Sequence, residues 1–411
     1  MKICHLTSGD LDSGAARGAV GLHLSLLEMG IDSYLITNDA NSVNKYKSVI
    51  LIESPFFSNR IISKIYSYLD QFLAKFYKNR IPVIFSTGFC GYNFNRIKEF
   101  KDADIVHLHW INQGYFNISN FNKFNKIFFW TIRDMWPFTG GCHLAQAFNC
   151  EKYIDNCGKC IALGSKFKFD LSFFIQKRKK KYYPSNLHLI GISNWISGCA
   201  KSSSIFKDNQ IYTIPNSIDF NQFKLNDKKY SRTKLNLNTE KKYVLIGAHD
   251  LKSKYKGFEI FKKSLAYCST NFEILVFGDT IETENLFNHN IINYNKIQDI
   301  NMLNNLYSAA DVFVSCSLIE SFGKTIAEAM SSGTPCVAFN CTGQRDIIDH
   351  KINGYLSEPF CEKSIAIGIE WILSNSSYDN LIINARKKIV ETFSPKLVAT
   401  SYINLYQNAI K

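Results

Sequence analysis

Long apolar runs are missing from this sequence. No stretch approaches the roughly eighteen consecutive apolar residues that a membrane-spanning helix needs, and the first residues, MKICHLTSG, lack the apolar core of a secretory signal peptide. Disordered chains have few apolar residues, but 46% of the residues here are hydrophobic and 20% are charged. We therefore expect a folded protein that stays in the cytoplasm.

Acidic residues are in deficit. The sequence has 35 Asp and Glu residues and 48 Lys and Arg residues, which gives a net charge of +13. This excess indicates an anionic partner, and nucleic acid, anionic lipid headgroups and phosphorylated substrates all qualify. The 12 cysteines are scattered, and several, such as Cys316 and Cys336, lie in apolar runs. That pattern is typical of a reducing compartment, where most cysteines are small buried hydrophobic residues.

Strand-like apolar runs alternate with helical patterns along the 411 residues, which predicts an α/β chain of two domains. We place an N-terminal Rossmann-like domain at 1–205, with a Cys-rich insertion at 134–165. A C-terminal Rossmann-like domain is expected at 206–393 and a final helix at 394–411. Residues 38–102 are expected to be largely irregular, and 187–193 to form the last strand of the first domain.

The most informative stretch is ESFGKTIAEAMSSGTP at 320–335, which predicts a turn and a helix between two buried strands. A helix that begins near Phe322 and Gly323 offers unpaired N–H groups and a positive dipole end, both of which favour phosphate. Glu320 precedes the turn, and Glu328 lies about 12 Å further along a helical path. A nucleotide sugar would fit, with its hexose at Glu320, its diphosphate at the turn and its ribose at Glu328. The alternative is a pair of solvated carboxylates.

The E-x7-E spacing, followed by EAM and GTP, resembles the signature of retaining glycosyltransferases of the GT-B fold. This large family includes sucrose synthases and bacterial mannosyl- and galactosyltransferases. The resemblance implies two Rossmann-like domains that face each other across a cleft, with the C-terminal helix crossing back to the first domain. It also implies transfer of a hexose from a nucleoside diphosphate sugar to a glycan hydroxyl, with no cofactor required for catalysis.

The resemblance also implies roles for individual residues. Lys256 matches a lysine that neutralises the leaving diphosphate, but Ala248 or His249 occupies the position of the family's arginine, for which Lys252 or Lys254 could substitute. The implied donor-binding residues are Gly14, Arg17, Lys256, Glu320, Ser321, Phe322, Gly323 and Glu328. The implied catalytic residues are His109, Lys256 and Glu320.

Two histidines lie near the end of the strand DIVHLHW at 104–110. His109 matches a family histidine that contacts the transferred sugar or its phosphate, at the sheet rim where ligands bind. His107 is expected one step deeper on the same face of the strand. Either residue could instead be a structural histidine with satisfied hydrogen bonds.

The stretch RDMWPFTGGCH at 133–143 closely resembles the HDMWPFTGGCH of a subgroup that builds surface polysaccharides such as colanic acid and O-antigen. Arg133 stands in place of the histidine and cannot act as a base, because a guanidinium does not lose its proton. It could still bind a phosphate or a carboxylate. Asp134 is a candidate for positioning an acceptor hydroxyl.

Four cysteines follow in a C-x7-C-x6-C-x2-C series, namely Cys142, Cys150, Cys157 and Cys160. Four thiolates grouped in this way could form a tetrahedral structural zinc site. Free thiols and redox-labile disulfides are the alternatives. A zinc ion here would stabilise the loop and take no part in catalysis.

Two basic segments could contact a membrane. Residues 58–80 predict a helix with apolar residues on one face and Lys or Arg on the other, which could lie on a membrane or pack on its own domain. QKRKKKYY at 176–183 could attach to anionic lipid, at about 1 kcal/mol per basic residue, or form a solvated helix face.

The expected partners are a nucleoside diphosphate sugar, a glycan or lipid-linked oligosaccharide acceptor and the anionic inner face of the plasma membrane, with no nucleic acid. Two rival functions remain. The net charge, QKRKKKYY and the cysteine series would also suit a nucleic-acid-binding protein. A non-catalytic sensor would bind the nucleotide sugar without turnover.

Overall fold

The computed structural model describes residues 1–53, 59–279 and 289–411. The chain forms two units: Met1–Pro215 together with Val398–Lys411 is unit 1, and Asn216–Leu397 is unit 2. The division therefore follows Pro215, whereas the sequence placed a boundary after residue 205.

Unit 1 is built on seven parallel strands in the order β3-β2-β1-β4-β5-β6-β7. The strands are β1 Lys2–Leu6, β2 Asp32–Thr37, β3 Val49–Leu51, β4 Ile105–Leu108, β5 Ile127–Ile132, β6 His188–Gly191 and β7 Ile211–Thr213. The helices between them are α1 Gly14–Glu28, α2 Asn59–Lys75, α3 Lys98–Asp102, α4 Leu171–Tyr182 and α5 Asn194–Ser202. All four residues of β4 are buried, as expected for a parallel strand that is covered on both faces.

Unit 2 contains a second parallel sheet, in the order β10-β9-β8-β11-β12-β13. Its strands are β8 Tyr243–Gly247, β9 Glu273–Phe277, β10 Ile291–Asn293, β11 Val312–Ser315, β12 Cys336–Phe339 and β13 Gly354–Ser357. Its helices are α6 Lys228–Lys234, α7 Phe258–Ser264, α8 Ile300–Ala309, α9 Lys324–Ser331, α10 Glu362–Leu373 and α11 Tyr378–Phe393. The last helix of the chain is α12 Pro395–Ile410.

Both sheets reverse their strand order at one point. In unit 1, β1 to β3 follow one another towards one edge of the sheet, and β4 to β7 follow one another towards the other edge. In unit 2, β8 to β10 and β11 to β13 are arranged in the same way. The carboxyl ends of the two strands that flank such a reversal form a crevice in which doubly wound proteins bind ligands. The loops after β1, β4, β8 and β11 are therefore the places to look for a functional site.

The predicted α/β class and its two parallel sheets are confirmed. Two details were wrong. Residues 187–193 do not form the last strand of the first half, because β7 follows, and the region 38–102 also contains β3 and α3. The predicted helix at 58–80 is α2, whose first predicted residue, Ser58, lies outside the described residues.

Helix α12 packs on the core of unit 1. Its buried residues Val398, Tyr402 and Tyr406 share one apolar cluster with Ile105 of β4 and Phe129 of β5. Two hydroxyl groups of the helix also reach polar groups of the sheet, since the Tyr402 hydroxyl lies 2.9 Å from Thr131 Oγ1 and the Tyr406 hydroxyl 2.5 Å from His107 Nδ1. The helix is thus fixed by directional bonds as well as by apolar contact.

Three buried histidines lie side by side in this sheet. His5 of β1 is paired in register with His107 of β4, and His5 Nδ1 lies 2.9 Å from His109 Nε2. Burial, followed by the positive charge of neighbouring groups, lowers the pKa of all three well below the usual value. The cluster is therefore neutral at physiological pH.

Removing the Tyr406 hydroxyl should destabilise the protein. Tyr406→Phe keeps the ring but leaves His107 Nδ1 buried without this partner, so the free energy of unfolding should fall by about 1–3 kcal/mol. Urea unfolding followed by near-UV circular dichroism measures the change. Gln407→Ala, on the exposed side of the same helix, is the control, and an equal effect of the two substitutions would contradict the assigned bond.

The histidine cluster should make stability fall on mild acidification. The folded-state pKa values are lowered, so the unfolded chain binds more protons as pH drops below about 6.5, and each histidine then removes up to about 1.4 kcal/mol per pH unit. We expect a falling free energy of unfolding between about pH 7 and 5.5. His5→Gln should flatten this slope, whereas His249→Gln, at an exposed position, should not. Equal slopes for the two variants would contradict the prediction.

Candidate functional site

The strongest candidate site in unit 2 lies where its sheet reverses. Lys256 is on the loop that follows β8, and Glu320 is on the loop that follows the neighbouring strand β11. Lys256 Nζ lies 2.6 Å from Glu320 Oε1, with 30% of the lysine side chain and 17% of the glutamate side chain exposed. Two residues that the sequence separates by 64 positions thus form one partly accessible ion pair at the carboxyl edge of the sheet.

Gly257 lets the two loops approach each other. Its φ is +66°, and a Cβ atom there would lie 1.9 Å from the carbonyl oxygen of Cys316, directly after β11. Only glycine tolerates both the backbone angle and the contact. The Leu318 N–H also donates to the Tyr255 carbonyl at 2.8 Å. The position of Lys256 relative to Glu320 is therefore set by backbone contacts as well as by charge.

A third loop holds the backbone of Glu320. The Gly343 N–H donates to the Glu320 carbonyl at 2.8 Å, and the Glu320 N–H donates to Thr342 Oγ1 at 3.2 Å. Both partners follow β12, the next strand of the sheet. A Cβ atom on Gly343 would lie 2.4 Å from the Ser321 carbonyl oxygen, so this contact also requires glycine. Glu320 is thus fixed at both of its backbone groups.

Helix α9 begins beside this pair. Its N-cap is Gly323, with φ +109°, and no side chain caps the first turn. Phe322 is buried with its ring edge-to-face against Phe393, at 5.5 Å between ring centroids, so Phe322 contributes its backbone and not its side chain to the surface. Ser321 is half-buried. The helix dipole and the first N–H groups make this end favourable for an anion.

Glu328 is the fifth residue of α9 and is 3% exposed. Its Oε2 accepts a hydrogen bond from the Tyr307 hydroxyl at 3.3 Å, and its Oε1 lies 3.8 Å from Lys324 Nζ. The carboxylate is therefore held inside the unit, near the first turn of α9. Lys324, which the sequence reasoning left out, adds a second cation to this helix start.

The remaining donor-side candidates of unit 2 are at the surface. Lys252 and Lys254 are exposed on the loop that carries Lys256, and His249 is exposed with its Nε2 3.4 Å from Lys296 Nζ. Ala248 is buried and offers no charge. Lys252 and Lys254, which the resemblance offers in place of the family's arginine, are therefore accessible on the loop that carries Lys256.

In unit 1, Gly14 and Arg17 lie on the segment that follows β1. Gly14 is the first residue of α1, is exposed and has open space where a Cβ would lie. Arg17, one turn further along α1, is also exposed. The N-cap Ser13 makes no side-chain capping bond. The start of α1 is thus a second accessible helix end with a cation beside it.

His109 and Arg133 contact each other inside unit 1. His109 is 2% exposed, and its Nδ1 accepts from Arg133 Nη2 at 3.2 Å while its Nε2 faces His5. Burial lowers the pKa of Arg133 to about 10, which leaves it charged at neutral pH. Both ring nitrogens of His109 therefore contact protein groups. The sequence alone could not reveal that His5 is the partner of Nε2.

Asp134 belongs to a buried hydrogen-bond network. Its Oδ2 accepts from Trp110 Nε1 at 2.8 Å and lies 2.7 Å from His143 Nδ1, and its Oδ1 accepts from the Trp136 N–H at 2.8 Å. Burial by itself would raise the pKa of Asp134, but the charge of His143 and these hydrogen bonds lower it. His143, the last residue of the GGCH motif, was missed as a site residue although the motif contains it.

The four cysteines of the 134–165 region converge. Cys142, Cys150, Cys157 and Cys160 all line one cavity of about 20 Å³, and none forms a disulfide. That volume has room for about one water-sized centre. The four residues therefore line one common cavity, and the zinc site stays a prediction.

Unit 1 also exposes an unusual apolar surface on α2 and α4. Opposite the buried Ile62, Asp70 and Ala74, the solvent face of α2 is apolar instead of polar. We define the apolar surface as the exposed residues Ile61, Ile65, Tyr68, Leu69, Phe72, Leu73, Phe76, Phe167, Phe169 and Phe174. A cavity of about 400 Å³ joins its two halves between Phe76 and Phe174. No helix in the described part of the chain is both long and apolar enough to cross a bilayer.

The basic run at 176–183 is only partly solvated. Lys177, Lys180 and Lys181 are exposed, but Lys179 is fully buried with its ammonium over the Trp136 ring. Burial lowers the pKa of Lys179 to about 7. The exposed lysines lie on α4 close to Phe174, so positive charge borders the apolar surface.

Comparison with known proteins points to one family. Residues 227–388, which include the Lys256 and Glu320 loops, match the family described as Glycosyl transferases group 1. The uncharacterized glycosyltransferase MJ1607 of Methanocaldococcus jannaschii is 37% identical over 110 residues, which cover 26% of this chain and only 28% of that protein. The putative colanic acid biosynthesis glycosyl transferase WcaC of Escherichia coli K12 is 20% identical over 320 residues, 74% of this chain and 76% of WcaC.

The solved structure of Anabaena HepE in complex with UDP and glucose has the same fold, with a TM-score of 0.65 at 15% identity, covering 99% of this chain and 100% of that chain. The structural likeness thus extends over both units, and the family match lies within unit 2. The chain has the GT-B fold, and its residues 227–388 match the model of the glycosyl transferases group 1 family.

Proposed function

We propose that this protein is a retaining glycosyltransferase that moves a hexose from a nucleoside diphosphate sugar to a hydroxyl group of a lipid-linked glycan. The observation that carries the proposal is the Lys256–Glu320 pair beside the start of α9, at the strand-order reversal of unit 2. Support comes from the family match over this region and from HepE, a protein of the same fold that was solved with UDP and glucose.

In this proposal the diphosphate lies on the first turn of α9. The helix N–H groups and Lys256 then face its oxygens, and Lys256 exchanges Glu320 for phosphate when the donor binds. Glu320, released from the ion pair, accepts hydrogen bonds from hexose hydroxyls. Donor binding and orientation of the sugar are thereby linked, because the Glu320 carboxylate pairs with Lys256 before the donor binds and with the hexose hydroxyls afterwards.

Transfer with retention follows if the acceptor attacks from the face that the diphosphate leaves. The bond between the anomeric carbon and the phosphate oxygen breaks, and the acceptor oxygen forms the new glycosidic bond. The departing phosphate oxygen takes the proton of the acceptor hydroxyl. Lys256 and the start of α9 stabilise the charge that grows on the diphosphate, which is the largest electrostatic change of the reaction.

The unit 1 residues serve as support in this scheme. Arg133 holds His109, and the hydrogen bonds of Asp134 orient Trp110 and His143. Gly14 and Arg17 are exposed at the start of α1. We therefore assign the proton transfer to substrate oxygens and not to His109, whose nitrogens are both occupied.

A lipid-linked acceptor is favoured by the apolar surface of unit 1. We propose that this surface docks on an anionic bilayer, such as the inner face of the plasma membrane. Exposed aromatic residues such as Phe76 can enter the headgroup region, and Lys64, Lys75, Lys166, Lys168 and Lys177 are exposed beside them. Each lysine near an anionic surface contributes about 1 kcal/mol. The net charge of +13 adds long-range attraction.

Glu320→Gln should separate catalysis from stability. The amide keeps the shape of the side chain but loses the charge that strengthens the hydrogen bonds from the hexose hydroxyls, so we expect kcat to fall about a hundredfold or more. The free energy of unfolding should change by less than about 1 kcal/mol, because the pair is partly exposed. A thermal-shift screen of UDP- and GDP-sugars selects the donor, and release of the nucleoside diphosphate with acceptor measures turnover.

Glu259→Gln is the matched control, since it breaks an ion pair with Lys262 on the surface of α7. Turnover should be unchanged in this variant. Unaltered turnover in Glu320→Gln would remove Glu320 from the site. Donor binding by the wild-type protein without any transfer would instead indicate a sensor.

Membrane docking is tested by vesicle flotation. We expect the protein to bind phosphatidylglycerol-containing vesicles and to bind phosphatidylcholine vesicles weakly. Phe76→Ser combined with Phe174→Ser should weaken binding about tenfold or more, because two exposed rings no longer enter the bilayer. The control pair Ile367→Ser and Ile383→Ser alters equally exposed apolar residues of unit 2 and should have no effect. Equal loss in both pairs would contradict docking through the apolar surface.

A further inference from the structure

We propose that Cys142, Cys150, Cys157 and Cys160 bind one structural zinc ion. The site lies in unit 1 and is separate from the residues assigned to sugar transfer. All four sulfur-bearing residues line one small cavity together with Gly140 and Lys152. Cys142 and Cys160 are each 8% exposed. Four cysteine residues that line a space of about one water-sized centre match the number and type of residues in a closed zinc site.

The turn between the last two cysteines has the form of a metal-binding knuckle. Gly158 has φ +136°, and a Cβ atom there would lie 2.2 Å from the Lys168 carbonyl oxygen, while Lys159 has φ +46°. These two left-handed residues reverse the chain so that Cys157 and Cys160 both face the cavity. The strained backbone at Lys159 indicates that something other than local preference fixes the turn.

Hydrogen bonds fix the backbone of two of the cysteines. The Cys157 N–H donates to Gln176 Oε1 at 2.7 Å, and the Cys160 N–H donates to Asp170 Oδ2 at 2.8 Å. Gly140 also lies against Cys157, since a Cβ atom built on Gly140 would lie 2.9 Å from the Cys157 Cβ atom. The positions of Cys157 and Cys160 are therefore set by the surrounding chain.

Two lysines supply positive charge beside the cavity. Lys152 Nζ donates to the Gly158 carbonyl at 3.1 Å and also to the carbonyl of Lys159. Lys179 is completely buried and donates to the carbonyls of Trp136 and Thr139, and Thr139 lines the same cavity. Zinc with four thiolates would carry two net negative charges, which neighbouring ammonium groups would offset.

The ion would draw the ligands together. Around tetrahedral zinc the sulfur atoms lie about 3.8 Å apart. Among the described residues, only His5, His107 and His109 place three possible ligand atoms within 4.8 Å of one another. The four cysteine sulfur atoms are therefore spaced more widely than zinc would hold them. That histidine cluster is a poor cation site, because the Arg133 guanidinium contacts His109 and two hydroxyl groups occupy His107.

Zinc at this place would order the loop that carries part of the apolar surface. The Lys159 N–H donates to the Phe167 carbonyl at 2.8 Å, and the Ile81 N–H donates to the Ala162 carbonyl at 2.9 Å. The knuckle thus connects Phe167 to the segment after α2. Loss of the ion should loosen this part of the surface while unit 2 stays intact.

Metal analysis of the full-length protein, purified under reducing conditions from zinc-supplemented cells, tests the proposal. We expect roughly one zinc ion per chain. Serine substitution of each of the four cysteines should reduce the zinc content to near zero. Cys268→Ser and Cys361→Ser, at half-buried cysteines of unit 2, should leave it unchanged.

Cobalt replacement gives a second readout that does not depend on the folding of a variant. Wild-type protein stripped of zinc and loaded with Co²⁺ should show the intense sulfur-to-cobalt charge-transfer and tetrahedral ligand-field bands of thiolate coordination. Absence of bound zinc and of these bands, or a disulfide between Cys157 and Cys160 in freshly purified protein, would overturn the proposal. Neither result depends on whether the protein transfers a sugar.

Discussion

The ion pair between Lys256 and Glu320 is the contact on which the functional account depends. It joins two loops that follow adjacent strands, and these loops can meet only because Gly257 allows their backbones to touch. Gly343, on a third loop, allows the same close contact with the backbone of Ser321. Neither residue would define a site alone, since exposed lysines and glutamates are common. Together they lie at the strand-order reversal and beside a helix start that no side chain caps, which is why we assign the phosphates of the proposed donor to this place.

Unit 1 uses its polar residues differently. His5, His107, His109, Arg133 and Asp134 lie at or near the carboxyl ends of its strands, but they bond to one another and to α12 or to buried side chains. A cluster of this kind is stable only when nearly every donor meets an acceptor, because unpaired polar groups are costly in the interior. The accessible features of unit 1 are instead the start of α1 and the apolar surface on α2 and α4.

Much of the fold could be predicted from the sequence because long apolar runs such as DIVHLHW and YVLIGA can form only buried strands in this context. The three-residue strands β3, β7 and β10 carry too little pattern to be recognised. Lys256 and Glu320 were predicted by resemblance, but their mutual contact was not, since no sequence spacing relates them. The burial of His109 and Lys179 was also not predictable, because it depends on partners from distant segments: His5 for the histidine, and Trp136 and Thr139 for the lysine.

Calorimetric titration with nucleoside diphosphates tests the central claim most directly. Lys256→Met should weaken binding of the diphosphate at least about tenfold relative to the wild-type protein, because a charge-assisted hydrogen bond is lost. Binding of the corresponding nucleoside, which has no phosphate, should be the same for both proteins. Equal diphosphate affinity in the wild type and the variant would contradict the assignment of Lys256 and the start of α9 as the diphosphate site.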